Sequence, residues 1–237
     1  MKFSPILGQD LSGSVGGLTA SRNASGNYFR AKVAQAVPSS ERQRTSQEAM
    51  RNIGPDWAAL GGSSKALWMS YAAAISFTPP IGDPYNITGQ QMYVRSKLAV
   101  KYANEIFPAT PFSVPDDPPS PPVLPTFSTD PTILDATAST QIIRITFASG
   151  DAWVSEDGAF THVRISRPQG LGVTAFTTPF TNLGYIQGNS TSPPSSPFAF
   201  SSLAPFQAGQ RLFAEFRLYR ADGGLSLAVI SPGVVTV

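Results

Sequence analysis

The sequence has 237 residues, 41% hydrophobic and only 14% charged, with 20 Gly, 22 Pro, one His and no Cys. That length holds one large domain or two ordinary ones with a sizeable core, while the missing cysteines exclude disulfides, thiolate metal sites and cysteine nucleophiles. The net charge of +2 is uneven, with 11 Lys/Arg and 6 Asp/Glu in residues 1–108 against 6 and 9 in residues 109–237, and no block of like charge is dense enough to track a phosphate backbone, so nucleic acid is not an expected partner.

The opening MKFSPILGQDL has one lysine, an interrupting Pro5 and no apolar run of signal length, so no secretory leader is expected. No stretch reaches the roughly 20 apolar residues of a membrane span, and no membrane association is expected. Residues 1–38 read as an arm. Gly13, Gly16 and Gly17 disfavour helix and predict a flexible segment. Residues 18–22 and 27–33 then predict a β-hairpin turning at Asn23-Ala-Ser-Gly26. Its Arg22, Arg30 and Lys32, with Tyr28, form a basic and aromatic cluster, and Tyr28 and Phe29 are apolar enough for a partner to bury. Arg22, Tyr28, Phe29, Arg30 and Lys32 are therefore the candidate partner-binding residues.

Residues 39–107 predict a small helical bundle. Thr45-Ser-Gln-Glu48 is a capping-box pattern ahead of Met50, Ile53, Trp57 and Leu60 at helical spacing, with Gly54-Pro55 expected to break or kink the helix. Ser63 or Ser64 can cap a second helix carrying Leu67, Trp68, Tyr71 and Ile75. Thr88-Gly-Gln-Gln91 repeats the capping-box pattern before Met92, Ala99, Tyr102 and Ile106. Residues 108–125 hold eight prolines in eighteen positions, which predicts a stiff, extended linker and a domain boundary.

Residues 126–237 predict an all-β domain. Ile143, Ile145 and Phe147 alternate with Ile142, Arg144 and Thr146, and Leu212, Ala214, Phe216 and Leu218 alternate with Phe213, Glu215, Arg217 and Tyr219. Asp222-Gly-Gly224 predicts a hairpin turn into residues 225–230. Further strands are expected at 160–167, 173–177, 183–187 and 198–203. Six or seven short strands with regular turn signals point to a sandwich.

Two resemblances extend this reading. The run Phe198-Ala-Phe-Ser-Ser-Leu-Ala-Pro205 followed by residues 211–224 resembles the last strands of a fibronectin type III or related immunoglobulin-like domain, with Leu212 and Phe213 where that family has its corner tyrosine. Gly8, Ser12-Gly-Ser-Val-Gly-Gly17, Gly26-Asn-Tyr-Phe-Arg30, Thr45, Arg51, Trp57, Leu60, Trp68 and Tyr71 resemble a group of poorly characterised bacterial and tailed-phage proteins encoded near virion genes. The second resemblance covers about the first 107 residues and implies a virion or surface-structure role.

The residues that could carry chemistry each have a structural reading beside the functional one. His162, in Phe-Thr-His-Val-Arg, reads as a strand residue, since a general base also needs an orienting partner and a nucleophile. Asp151, Glu156 and Asp157 could offer oxygens to calcium but lack EF-hand order, so a solvated loop is the expected reading. Trp57, Trp68, Tyr71 and Tyr102 could stack on sugars, yet their helical spacing reads as core. Gly13-x-x-Gly16-Gly17 lacks the Lys-Ser/Thr of a phosphate loop.

The expected class is α+β and multidomain: arm 1–38, helical bundle 39–107, linker 108–125 and an immunoglobulin-like sandwich 126–237. The expected function is that of a non-catalytic structural protein of a bacteriophage virion, a head decoration, head-fibre or tail-associated component without cofactor or metal. Its partners would be capsid or tail subunits, with the chain in many copies or self-associated. The alternative is a carbohydrate- or cell-surface-binding adhesion module using loops 188–197 or 150–158.

Overall fold

The computed structural model describes residues 2–3, 13–23, 26–32, 41–78, 84–106, 111–176 and 179–236. The chain divides into two compact units, Met1–Ser46 and Gln47–Val237.

The first unit contains a four-stranded antiparallel sheet of β1 (Lys2–Phe3), β2 (Gly13–Val15), β3 (Leu18–Asn23) and β4 (Gly26–Ala31), in the order β1-β4-β3-β2. The hairpin expected from the sequence is β3 with β4, closed at Asn23↔Gly26; its turn residues 24 and 25 lie outside the described residues. The glycine stretch expected to be flexible instead makes β2 and a tight turn. Val15 pairs with Leu18 across Gly16-Gly17, and Gly16 sits at φ +57°, where only glycine is free of strain.

Helix α1 (Glu41–Ala59) begins ahead of the expected capping box, which places Thr45 inside it, and it runs on through Pro55. Proline removes one amide donor there, and Arg51, four residues back, is exposed, so water can take up the freed carbonyl. Helix α2 (Gly62–Ala74) starts at Gly61 with no side-chain cap; Ser64 instead donates to Asp117 Oδ1 at 2.6 Å. The second capping box holds at α3 (Gly89–Ile106): Gln91 N–H donates to Thr88 Oγ1 at 3.2 Å and Thr88 N–H to Gln91 Oε1 at 2.9 Å. Gly89 lets α3 approach α2, since a Cβ there would fall 2.7 Å from Met69 N.

Seven further strands follow: β5 (Thr132–Thr137), β6 (Ile142–Thr146), β7 (Phe160–Ser166), β8 (Phe180–Gln187), β9 (Phe198–Ser201), β10 (Arg211–Tyr219) and β11 (Val229–Thr236). Hydrogen bonds order them β8-β7-β10-β11-β5-β6-β9. All neighbours are antiparallel except β11 and β5, which share two parallel pairs, Val235↔Ala136 and Thr236↔Thr137. Among the described residues the class is therefore α+β.

Two strand expectations differ. Residues 173–176 form no strand, and residues 225–230 contribute only the bridge Leu225↔Tyr219 before β11 begins at Val229. Strand β5 was not expected at all, because Pro131 and a bulge between Ile133 and Asp135 break its alternation.

One core gathers the inward side chains of both ends of the strand order: Ile133, Ile143 and Ile145 with Val163, Leu212 and Phe216. A second core joins Ile53, Trp68, Tyr71 and Tyr93 of the helices to Phe112 and Val114 of the proline-rich stretch and to Phe160, Tyr185 and Tyr219 of the strands. The described part of the expected linker, residues 111–125, is thus not a free spacer. Phe112 and Val114 are buried, Tyr219 donates its hydroxyl to Ser113 O at 3.1 Å, and Asn104 exchanges two hydrogen bonds with the backbone of Phe112. Proline-rich backbone has few donors to satisfy, so it can lie between apolar layers at small cost. The boundaries expected near residues 108 and 125 are correspondingly crossed by one packed core.

Candidate functional site

The candidate partner-binding residues all lie in β3, β4 or directly after them. Directly paired residues share a face and successive residues alternate. The register Thr19↔Arg30, Ala20↔Phe29, Ser21↔Tyr28 and Arg22↔Asn27 puts the Tyr28 and Arg30 positions on one face and the Arg22 and Phe29 positions on the other. Lys32, whose N–H donates to Gly17 O at 2.7 Å, continues the Arg30 alternation. The expected single cluster is therefore divided, because the turn places Arg22 opposite Asn27, one position out of step with Tyr28. Arg30 and Lys32 are exposed, as is Leu18 at 53%. Strand β1 adds the Lys2 position opposite Tyr28. A two-residue strand gives no periodic signal, so Lys2 was not legible in the sequence.

In the second unit the outward face of β7, β8 and β10 holds the chain's histidine. His162 stacks on Tyr185 at 4.4 Å between ring centroids, and its Nε2 lies 3.0 Å from Asn182 Oδ1. Burial pushes its pKa down to about 4, with a smaller contribution from the Arg164 and Arg217 charges; the Asn182 hydrogen bond and Glu215 oppose the shift. Glu215, buried on the central strand β10, accepts from Arg217 Nε at 2.8 Å and from Arg164 at 3.2 Å. Burial of a carboxylate is tolerable with two guanidinium partners. Both faces of β10 are covered, which is why its alternation did not announce Glu215 as interior.

Helix α3 clamps the turn between β10 and β11. Arg95 donates to Leu225 O at 2.6 Å and to Ser226 O, and lies over the Phe77 ring at 5.6 Å. Ser96 donates to Gly223 O at 2.7 Å. Burial lowers the Arg95 pKa to about 10. Sequence reading did not single out these two residues, since a helix period says nothing about contacts 130 residues away.

The three carboxylates weighed for calcium turn in different directions. Asp151 Oδ2 accepts from Ser128 N–H and the Trp153 indole. Glu156 accepts from Arg220 and from Ala221 N–H. Asp157 accepts from Ser190 N–H at 2.8 Å and Ser190 Oγ at 2.6 Å, contacts that hold its pKa below the ordinary value. Among the described residues no group of three or more His, Asp or Glu side chains is placed to hold a metal ion. Of the aromatics weighed as a sugar platform, Trp68 and Tyr71 are buried, and Trp57 is half-buried against the same core. Among the described residues no helix is long and apolar enough to cross a membrane.

No family model matches the chain, and neither does any curated protein or solved structure. The arrangement offers contact surface: a basic strand face on the first unit, and on the second a body whose polar side chains tie one element to another.

Proposed function

We propose that this chain is a non-catalytic structural protein of a bacteriophage virion, a head decoration, head-fibre or tail-associated component. It is held in the particle by its N-terminal unit and present in many copies, with capsid or tail subunits as partners. The observation that carries this reading is the N-terminal sheet. It is a compact unit of its own, of short strands, with Leu18, Arg30 and Lys32 exposed. So small a sheet gains stability by packing on something else, and an exposed apolar and basic strand pair suits a neighbouring subunit.

The reading also takes the sheet-rich part as an immunoglobulin-like sandwich. The strand order supports it: β8-β7-β10-β11 and β5-β6-β9 correspond to the two sheets of that plan, joined by only two parallel pairs between the first and last strands. The core drawn from both groups fits two facing layers. Such a fold hosts many functions, so the display role rests on the arm and not on the strands.

The test is deletion of residues 1–37 followed by measurement of copy number in assembled particles. The shortened chain is expected to keep the helix and strand signature of the second unit and to be lost from particles. Full occupancy without the arm overturns the reading.

A further inference from the structure

We infer that the N-terminal sheet docks on the carboxylate-rich end of the second unit of another copy of this chain, joining copies head to tail; the inference rests on the reading of the arm as the anchor. Charge is the first argument. Residues 1–46 carry Lys2, Arg22, Arg30, Lys32, Arg42 and Arg44 against Asp10 and Glu41, net +4, while residues 47–237 hold the other 11 Lys/Arg and 13 Asp/Glu, net −2. One chain thus supplies both signs on separate bodies.

The negative charge of the second unit is gathered at one end by contacts already in place. Trp68 Nε1 reaches Asp116 O, and Ser64 reaches Asp117. Asp151 holds the backbone of Ser128, and Glu156 holds the 220–221 backbone and side chain. A Cβ on Gly223 would sit 3.5 Å from Pro115, and one on Gly224 would sit 3.1 Å from Pro125. These contacts bring residues 113–130, 151–157 and 220–224 to the same end, with Asp116, Asp117, Asp130, Asp157 and Asp222 all exposed there. The cations at or beside the same contacts are Arg220, already engaged by Glu156, Lys65, which donates to Ala58 O, and Arg95, half-buried and engaged by the Leu225 and Ser226 carbonyls. Val123, 63% exposed in the same proline-rich stretch, adds apolar surface beside the carboxylates.

Arg30 and Lys32 share a strand face and are exposed, so they can approach such an end together. Exposed ion pairs contribute little singly and are screened over about 10 Å at 0.1 M salt. The contact is therefore weak per pair, salt-sensitive and effective through repetition. Because donor and acceptor differ, two copies can exchange their sheets as a reciprocal pair, and longer sets of copies can join as a ring or an open row.

The test is sedimentation of the full chain at low and high salt, with two charge-reversed variants and their combination. The parent is expected to form oligomers at about 20 mM salt and to dissociate at about 0.5 M. R30E/K32E and D116K/D130K are each expected to weaken association at least tenfold with unchanged thermal melts, since all four side chains are exposed. The chain carrying all four changes is expected to associate again. A parent that stays monomeric at low salt overturns the inference, and so do reversed variants that associate like the parent, or a fourfold variant that does not recover. A monomeric parent whose arm-deleted form is still lost from particles overturns only the copy-to-copy contact and leaves the anchor reading standing.

Discussion

Trp68 of α2 and Asp116 of the proline-rich stretch are joined by a hydrogen bond, the indole N–H donating to the Asp116 carbonyl oxygen at 2.8 Å across 48 residues of sequence. The indole is fully buried and meets Tyr71 and Tyr93 edge-on, at 5.7 and 5.4 Å between centroids. Replacing Trp68 with Ala is expected to cost about 3–5 kcal/mol, the scale of a buried aromatic truncation. Trp68→Phe should cost less but still remove the hydrogen bond to the Asp116 carbonyl, about 0.5–1.5 kcal/mol, since Asp116 is exposed and water can replace the donor. Trp57→Ala should be milder than Trp68→Ala, because Trp57 only borders the same core. Urea unfolding followed by circular dichroism checks all three, and a Trp68→Ala protein with the parent's midpoint would refute the packing.

The shared core makes a second prediction. Phe160 stacks on Tyr219 at 4.8 Å and meets Phe112 at 4.8 Å, so the strands complete their outward face with residues from the helical side. A fragment of residues 126–237 loses Phe112, Val114 and the helices and exposes Phe160, Tyr185 and Tyr219. It is expected to bind a hydrophobic dye, to self-associate, and to melt well below the full chain. Helix and strand signals of the full second unit should melt together. A 126–237 fragment with the parent's melting temperature would show that the strands are self-sufficient.

Local rules carried the reading of this chain a long way where local physics decides. The capping box at Thr88 and Gln91, the β3–β4 hairpin and the sequence alternation along β6 and β10 are all legible from neighbours within a few residues. Failures came where distant contacts decide. Gly16 and Gly17 read as flexible because their turn is useful only once Val15 and Leu18 pair. Ser64 looked like a cap but faces Asp117. The proline-rich residues 111–125 looked like a spacer because proline excludes helix and ladder, and nothing local reveals that Trp68, Asn104 and Tyr219 would bind their backbone. The division of the Arg22 and Tyr28 positions between two faces followed from a register that only the turn sets.

Gly188 tests a close approach of two loops. A Cβ there would lie 2.0 Å from the Trp153 backbone oxygen and 2.8 Å from that of Glu156, and neither is a flexible side-chain end. Gly188→Ala is expected to destabilise by about 1–3 kcal/mol through forced backbone displacement. Gly150→Ala, which meets nothing within 4 Å, should be within about 0.5 kcal/mol of the parent. Equal unfolding midpoints for the two variants would rule out the tight seat of residue 188 beneath Trp153.

The sharpest pH response should come from His162, the chain's sole histidine. In the folded protein its pKa is pushed from 6.5 down to about 4, first by burial and then by the Arg164 and Arg217 charges, against the raising influence of Asn182 and Glu215. Between those values the unfolded chain binds a proton that the folded chain refuses. Stability is therefore fully present above about pH 6.5 and falls as the pH drops toward 4, by roughly 3 kcal/mol over the window. The groups facing the ring fix the sign: protonation would set a third positive charge beside two guanidiniums, with Glu215 already shared between them. His162→Gln removes the titrating ring and should flatten the fall between pH 6.5 and 4, while acid unfolding from the carboxylates persists at lower pH. Denaturant midpoints of parent and variant across pH 4–8 measure it. Parallel profiles would mean that the ring is open to water in the folded state, and that its stacking on Tyr185 does not exclude the proton.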